Sequence, residues 1–116
     1  MRIWDVPPEE LCRLHLLGEH RELHAIWAIL TEDKDGYRHH PETKRWVGKL
    51  AALYRRHGQL VDEMARRGYA HRSDLDASLA AGIAAQTEFI DPVEAQREML
   101  TSRPCNCYLP GDRRQE

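Results

Sequence analysis

HLLGEHREL, His15 to Leu23, is the stretch on which the reading of this chain turns, because it sets ionisable groups into a segment otherwise apolar enough for a core helix. At 100° per residue, Glu22 and His15 project within about 20° of each other around a helix axis. They share that stripe with Leu11, Gly18, Ala25, Ile26 and Ile29. A carboxylate there is either a buried polar group with satisfied hydrogen bonds or a group that does chemistry.

Working outward, Pro7-Pro8 followed by Glu9-Glu10 forms a good helix entry, since proline is tolerated in the first turn and acids suit the positive end of the dipole. The first helix is predicted to run on to about Thr31, with Leu11, Leu14, Leu16, Leu17, Leu23, Ile26, Trp27, Ile29 and Leu30 covering most of its circumference. Only an arc with His20, Arg21 and His24 reads as polar, so this helix is expected to be central. Glu32 to Glu42 reads as a loop, with Gly36, Pro41 and no apolar periodicity.

A second helix is predicted from Thr43 to Arg67, on the spacing of Trp46, Val47, Leu50, Leu53, Tyr54, Leu60, Val61 and Met64, with a bend near Gly48 and Gly68 as its cap. Between Tyr69 and Phe89, Asp74 or Asp76 is expected to cap a short helix that Gly82 interrupts. Asp91-Pro92 then opens a third helix, Pro92 to Ser102, with Asp91 as its cap. No strand pattern appears. The expectation is one all-α domain over residues 1–116: three main helices packed around the N-terminal one, long loops, and a frayed tail at 112–116.

No apolar run approaches the length of a membrane span, and MRIWDVPPEE lacks the features of a signal peptide. A cytoplasmic protein without membrane contact is therefore expected. Cys12, Cys105 and Cys107 are an odd number for a disulfide framework, so reduced thiols are the expectation. The net charge of −2 is unevenly spread: residues 36–72 hold 9 basic and 3 acidic side chains, while 1–35 and 73–116 each hold 4 and 8. Such a basic block either meets phosphate or is a solvated helix face.

Three segments in order, MRIWD, LCRLHLLGEHREL and LAALYRRHGQLVDEMARRGY, resemble the pyrimidine-dimer DNA glycosylases of the phage endonuclease V type, with EAQREMLTSRP and a following tyrosine similar to that family's last helix and tail. The HxxxExRE pattern, His15, Glu19, Arg21 and Glu22, is the most specific part. The resemblance implies a glycosylase and abasic-site lyase that uses its N-terminal α-amine, here that of Met1, as a Schiff-base nucleophile and Glu22 as the catalytic carboxylate. An α-amine with a reference pKa of about 7.7 to 8.0 has a useful neutral fraction at physiological pH.

The same correspondence puts Arg2, His15 and Arg21 at the substrate, with Arg45, Lys49, Arg55 and Arg56 as candidate phosphate contacts and Tyr108 as the remaining aromatic of the tail. The family's small N-terminal residue aligns with Met1, its further arginine with Ala25 and its glutamine before the histidine with Leu14. DNA is the expected partner, the chain is expected to be monomeric with no obligate protein partner, and no cofactor or metal is assigned. Two other readings compete: a non-catalytic nucleic-acid-binding helical domain, and a metal-binding helical protein using His20 and His24 at i, i+4 with Cys105 or Cys107.

Overall fold

The computed structural model describes residues 2–71, 73–102 and 107, and all that follows concerns these. The chain enters through a 3-10 turn, Pro8–Glu10, and then straightens at Leu11 and Cys12. The Cys12 thiol accepts from the His15 amide and so caps helix α1, Arg13–Glu32, which starts later than the acidic entry suggests. The helix ends at Asp33, a left-handed residue at φ 55° whose N–H bonds the Ile29 carbonyl. One side of α1 is core: Leu16, Leu23 and Ile26 are fully buried, with Glu19, Trp27 and Ile29 beside them. Leu14 is 72% exposed, so α1 is not enclosed all round as its composition suggests.

The long second helix divides into two. Pro41–Lys44 forms a short α2, capped by the His40 ring, and the chain then turns through Gly48 at φ 77° before α3, Leu50–Arg66. A left-handed residue is what the expected bend becomes, because helical hydrogen bonding cannot continue through it. Helix α3 ends near Gly68, at φ 84°, with the Tyr69 amide bonding back to the Met64 carbonyl, as a glycine C-cap should.

No side chain caps the start of α3. Its orphan amides find distant backbone instead: Ala51 N–H donates to the Ala81 carbonyl at 2.8 Å and Ala52 N–H to that of Ile83 at 3.1 Å, while Ile83 N–H returns a bond to the Gly48 carbonyl at 3.0 Å. Gly82, at φ 86°, makes this approach possible, since a Cβ there would lie 2.3 Å from the Gly48 carbonyl oxygen. Gly82→Ala is therefore expected to cost about 2 kcal/mol or more, measured by urea denaturation, from the left-handed backbone and the clash together.

Helix α4 covers Val93–Thr101 and follows Pro92, which supplies no side-chain cap. The expected cap, Asp91, is used elsewhere: its carboxylate pairs with Arg2 at 3.0 Å. Upstream, Asp76 does cap a single 3-10 turn, Ala77–Leu79. The core lies between α1 and α3 and is completed by Ile3, Val6 and Trp46, with Leu100 contributed by α4. Among the described residues there is no strand, only an isolated bridge between Lys49 and Gly82, and no helix is long and apolar enough to cross a membrane. The protein is a small all-α fold.

Candidate active site

The N-terminal segment is apolar and buried, with Ile3 1% and Val6 0% exposed, yet it joins no sheet. Its backbone polar groups must then be satisfied by side chains. Ile3 N–H donates to the Glu42 carboxylate and Trp4 N–H to that of Glu19, both at 3.0 Å. Asp5 N–H donates to Gln96 Oε1 at 2.7 Å. Arginines serve the carbonyls: Arg45 donates to Ile3 O and Arg56 to Val6 O, each at 2.9 Å.

The same arginines neutralise the same acids. Arg45 pairs with Glu42 and, at 3.0 Å, with Asp5; Arg56 holds Glu19 through Nε at 2.6 Å and Nη2 at 3.1 Å. Burial pushes the Glu19 carboxyl above its ordinary range, and the Arg56 guanidinium with the Trp4 amide pulls it back toward the charged form. Two buried acid–arginine pairs thus clamp residues 3 to 6 against α1, α2 and α3.

This arrangement corrects the reading of the basic block. Arg45, Lys49 and Arg56, expected to contact phosphate, are buried and engaged inside the protein, Lys49 with Gln86 and Glu88, both at 2.7 Å. The physical reason is that desolvated carboxylates and carbonyls outcompete a surface role for them. Of the four candidates on this segment, only Arg55 is exposed, its Nη1 3.4 Å from the Ala84 carbonyl.

The clamp delivers Arg2 and Trp4 to a cavity of about 270 Å³ that they line with Leu14, His15, Gly18, Glu19 and Glu22. The acid on the core stripe of α1 proves to be Glu19, at 2% exposure. Glu22 sits at the margin of that stripe, half-buried, and among the described residues no hydrogen bond or ion pair engages it. The Arg2 guanidinium lies 4.6 Å from the Trp4 ring, with Nη1 on Asp91 and a buried Nε that has no hydrogen-bond partner among the described residues. The His15 ring meets Trp4 edge-on at 5.7 Å, and its Nδ1 lies 3.1 Å from Cys12 Sγ and 3.2 Å from Cys107 Sγ.

Arg2, His15 and Glu22 are thereby brought together, as the sequence pattern expects. Arg21 is exposed on the turn beside Glu22 and does not line the cavity. Met1, Cys105 and Tyr108 lie outside the described residues, as does the tail at 112–116. A larger cavity of about 580 Å³ is rimmed by Asp5, Glu9, Asp62 and Glu63 against only Arg56 and Arg66, a charge balance that repels a polyanion.

The polar arc of α1 also departs from expectation. His20 and His24 turn away from solvent to meet His57 of α3 and His71 beyond it, a grouping that residues so far apart in sequence do not announce. Burial and the neighbouring imidazoles push His20 and His57 down to about 4, and burial followed by the nearby His71 lowers His24. Cys107 is not near this group. It packs with Cys12 and His15, so the His20, His24 and cysteine set considered from sequence does not form among the described residues.

Comparison with known proteins identifies a family. A family model for pyrimidine dimer DNA glycosylase matches residues 1–77, which include the clamped N-terminal segment, α1 with His15, Glu19, Arg21 and Glu22, and the whole of α3. No curated protein and no solved structure matches the chain. With two thirds of its length matched, including every described residue that lines the cavity, the chain belongs to the pyrimidine dimer DNA glycosylase family.

Proposed function

We propose that the protein is a DNA glycosylase with abasic-site lyase activity on damaged DNA such as pyrimidine dimers, acting as a cytoplasmic monomer with the α-amine of Met1 as nucleophile. The observation that carries this reading is Glu22, a carboxylate without a protein partner among the described residues, in the same cavity as Arg2, the residue next to that amine.

In the proposed sequence the neutral amine attacks the sugar C1′, the bond from C1′ to the base breaks, and the departing base takes up a proton. Ring opening gives an iminium between C1′ and the Met1 nitrogen. Glu22 stabilises the positive charge there, then accepts a proton from C2′; the electrons move to break the bond from C3′ to oxygen and expel the 3′ phosphate. Water then releases the amine.

Arg2 and Arg21 supply cationic groups for the displaced nucleotide and its phosphates, His15 lines the wall, and Arg55 and Tyr108 act on the flanking backbone. Leu14, 72% exposed at the rim, offers an apolar contact where the family has an amide.

Borohydride reduction tests the mechanism. With abasic-site duplex, a covalent protein–DNA adduct is expected, attached at the N-terminal peptide and absent when the terminus is acetylated or extended. A dimer-containing duplex should give the same adduct after base release. No adduct with either duplex across the neutral pH range would overturn the proposal, as would an adduct mapped to a lysine.

A further inference from the structure

We propose that His20, His24, His57 and His71 form a closed tetrahedral site for a divalent first-row transition ion, Zn²⁺ foremost, that ties α1 to α3 and to the chain beyond it. Each imidazole offers one ring nitrogen, and the four nitrogens lie within 4.8 Å of one another. Zinc–nitrogen bonds of about 2.0 to 2.1 Å place tetrahedral ligand atoms about 3.4 Å apart. The Nε2 atoms of His24 and His57 are already at 3.2 Å, so a small contraction of the other two completes the set.

A packing role alone leaves a defect. Among the described residues, His20 Nε2 and His71 Nε2 are buried with no hydrogen-bond partner, and buried polar atoms in native proteins are rarely left so. A metal ion would satisfy both at once, together with the two nitrogens that now share one contact. The remaining nitrogen of His71 has an orienting group at hand, with Asp74 Oδ1 3.6 Å from Nδ1, the carboxylate–histidine arrangement common behind metal ligands.

The ligand set also selects the ion. Four neutral imidazoles and no oxygen donor suit zinc, copper or nickel and do not suit calcium or magnesium. Four protein ligands leave no open position for a water, which makes the site structural. It is separate from the glycosylase reading, since His20 and His24 project about 160° away from Glu22 around α1.

The test uses the full chain, stripped with a chelator and titrated with Zn²⁺ and with Co²⁺. One equivalent should bind, the melting temperature should rise, and Co²⁺ should show tetrahedral visible bands without a strong sulfur charge-transfer band. His57→Asn and His71→Asn should each weaken Zn²⁺ binding by about 100-fold or more. His71 lies outside the helices, so its variant tests the site even where the α3 variant fails to fold, with circular dichroism as the check. Cys12→Ser should bind as tightly as the parent. The proposal is overturned by no binding at micromolar Zn²⁺, by binding that survives in His71→Asn, or by binding lost in a folded Cys12→Ser, which would put the ion at Cys12, His15 and Cys107 instead.

Discussion

Glu22→Gln is expected to lower cleavage of an abasic-site duplex by about 10²- to 10⁴-fold, the range over which a positioned acid–base group acts, while changing folding stability by no more than about 0.5 kcal/mol. The stability half follows from its surroundings: Glu22 is half-buried and engages no partner among the described residues, so an amide of the same shape leaves nothing unpaired. The activity half follows from charge. A neutral amide neither stabilises an iminium nor accepts the C2′ proton, though it can still hydrogen-bond. Single-turnover cleavage and a thermal melt on the same preparation check both. Turnover within a few-fold of the parent would remove Glu22 from the mechanism.

Arg56→Met is expected to do the opposite, costing about 3 to 5 kcal/mol of stability. It strands the Glu19 carboxylate, which is 2% exposed, and removes the donor to the Val6 carbonyl. Domains of this size are commonly stable by only about 5 to 15 kcal/mol, so the urea midpoint should fall by a large fraction. The double variant Glu19→Gln, Arg56→Met should recover part of the loss, because no unpaired charge remains and a glutamine oxygen can still accept from the Trp4 amide. Equal destabilisation in the single and double variants would show that side-chain packing, and not the buried charge, sets the cost.

These two glutamates show what the sequence made legible and where it stopped. Periodicity located α1 to within a few residues and α3 at its C-terminal end, because Leu16, Leu23, Ile26, Leu53 and Leu60 do face the core, and the Asp91-Pro92 entry located α4. The division at Gly48 was visible only as a bend, since whether a glycine bends or breaks a helix depends on what its neighbours bury. Here that is Glu42, Arg45 and Trp46.

On α1 the helical wheel could not rank Glu19 against Glu22, which lie about 60° apart; the partner that decides between them, Arg56, is on another helix. The basic middle segment misled for a related reason. A charge count carries no direction, and part of the acidic first third and basic middle third meets inside the molecule, as Asp5 does Arg45 and Glu19 does Arg56. That Arg2, His15 and Glu22 share a cavity was legible because the family resemblance groups them. The four histidines were not, being spread over residues 20 to 71 with only one helical spacing among them.

The clamp on residues 3 to 6 also gives folding an order. The segment has no local partner: Trp4 waits for Glu19, Ile3 for Glu42 and Arg45, Val6 for Arg56, and Asp5 for Gln96 of α4. Residues 3 to 6 are thus among the last to find their places, since their contacts close long loops. A chain truncated before α4 lacks the amide that holds Asp5, so the cavity that Arg2 and Trp4 help to line is completed only once a distant helix has docked.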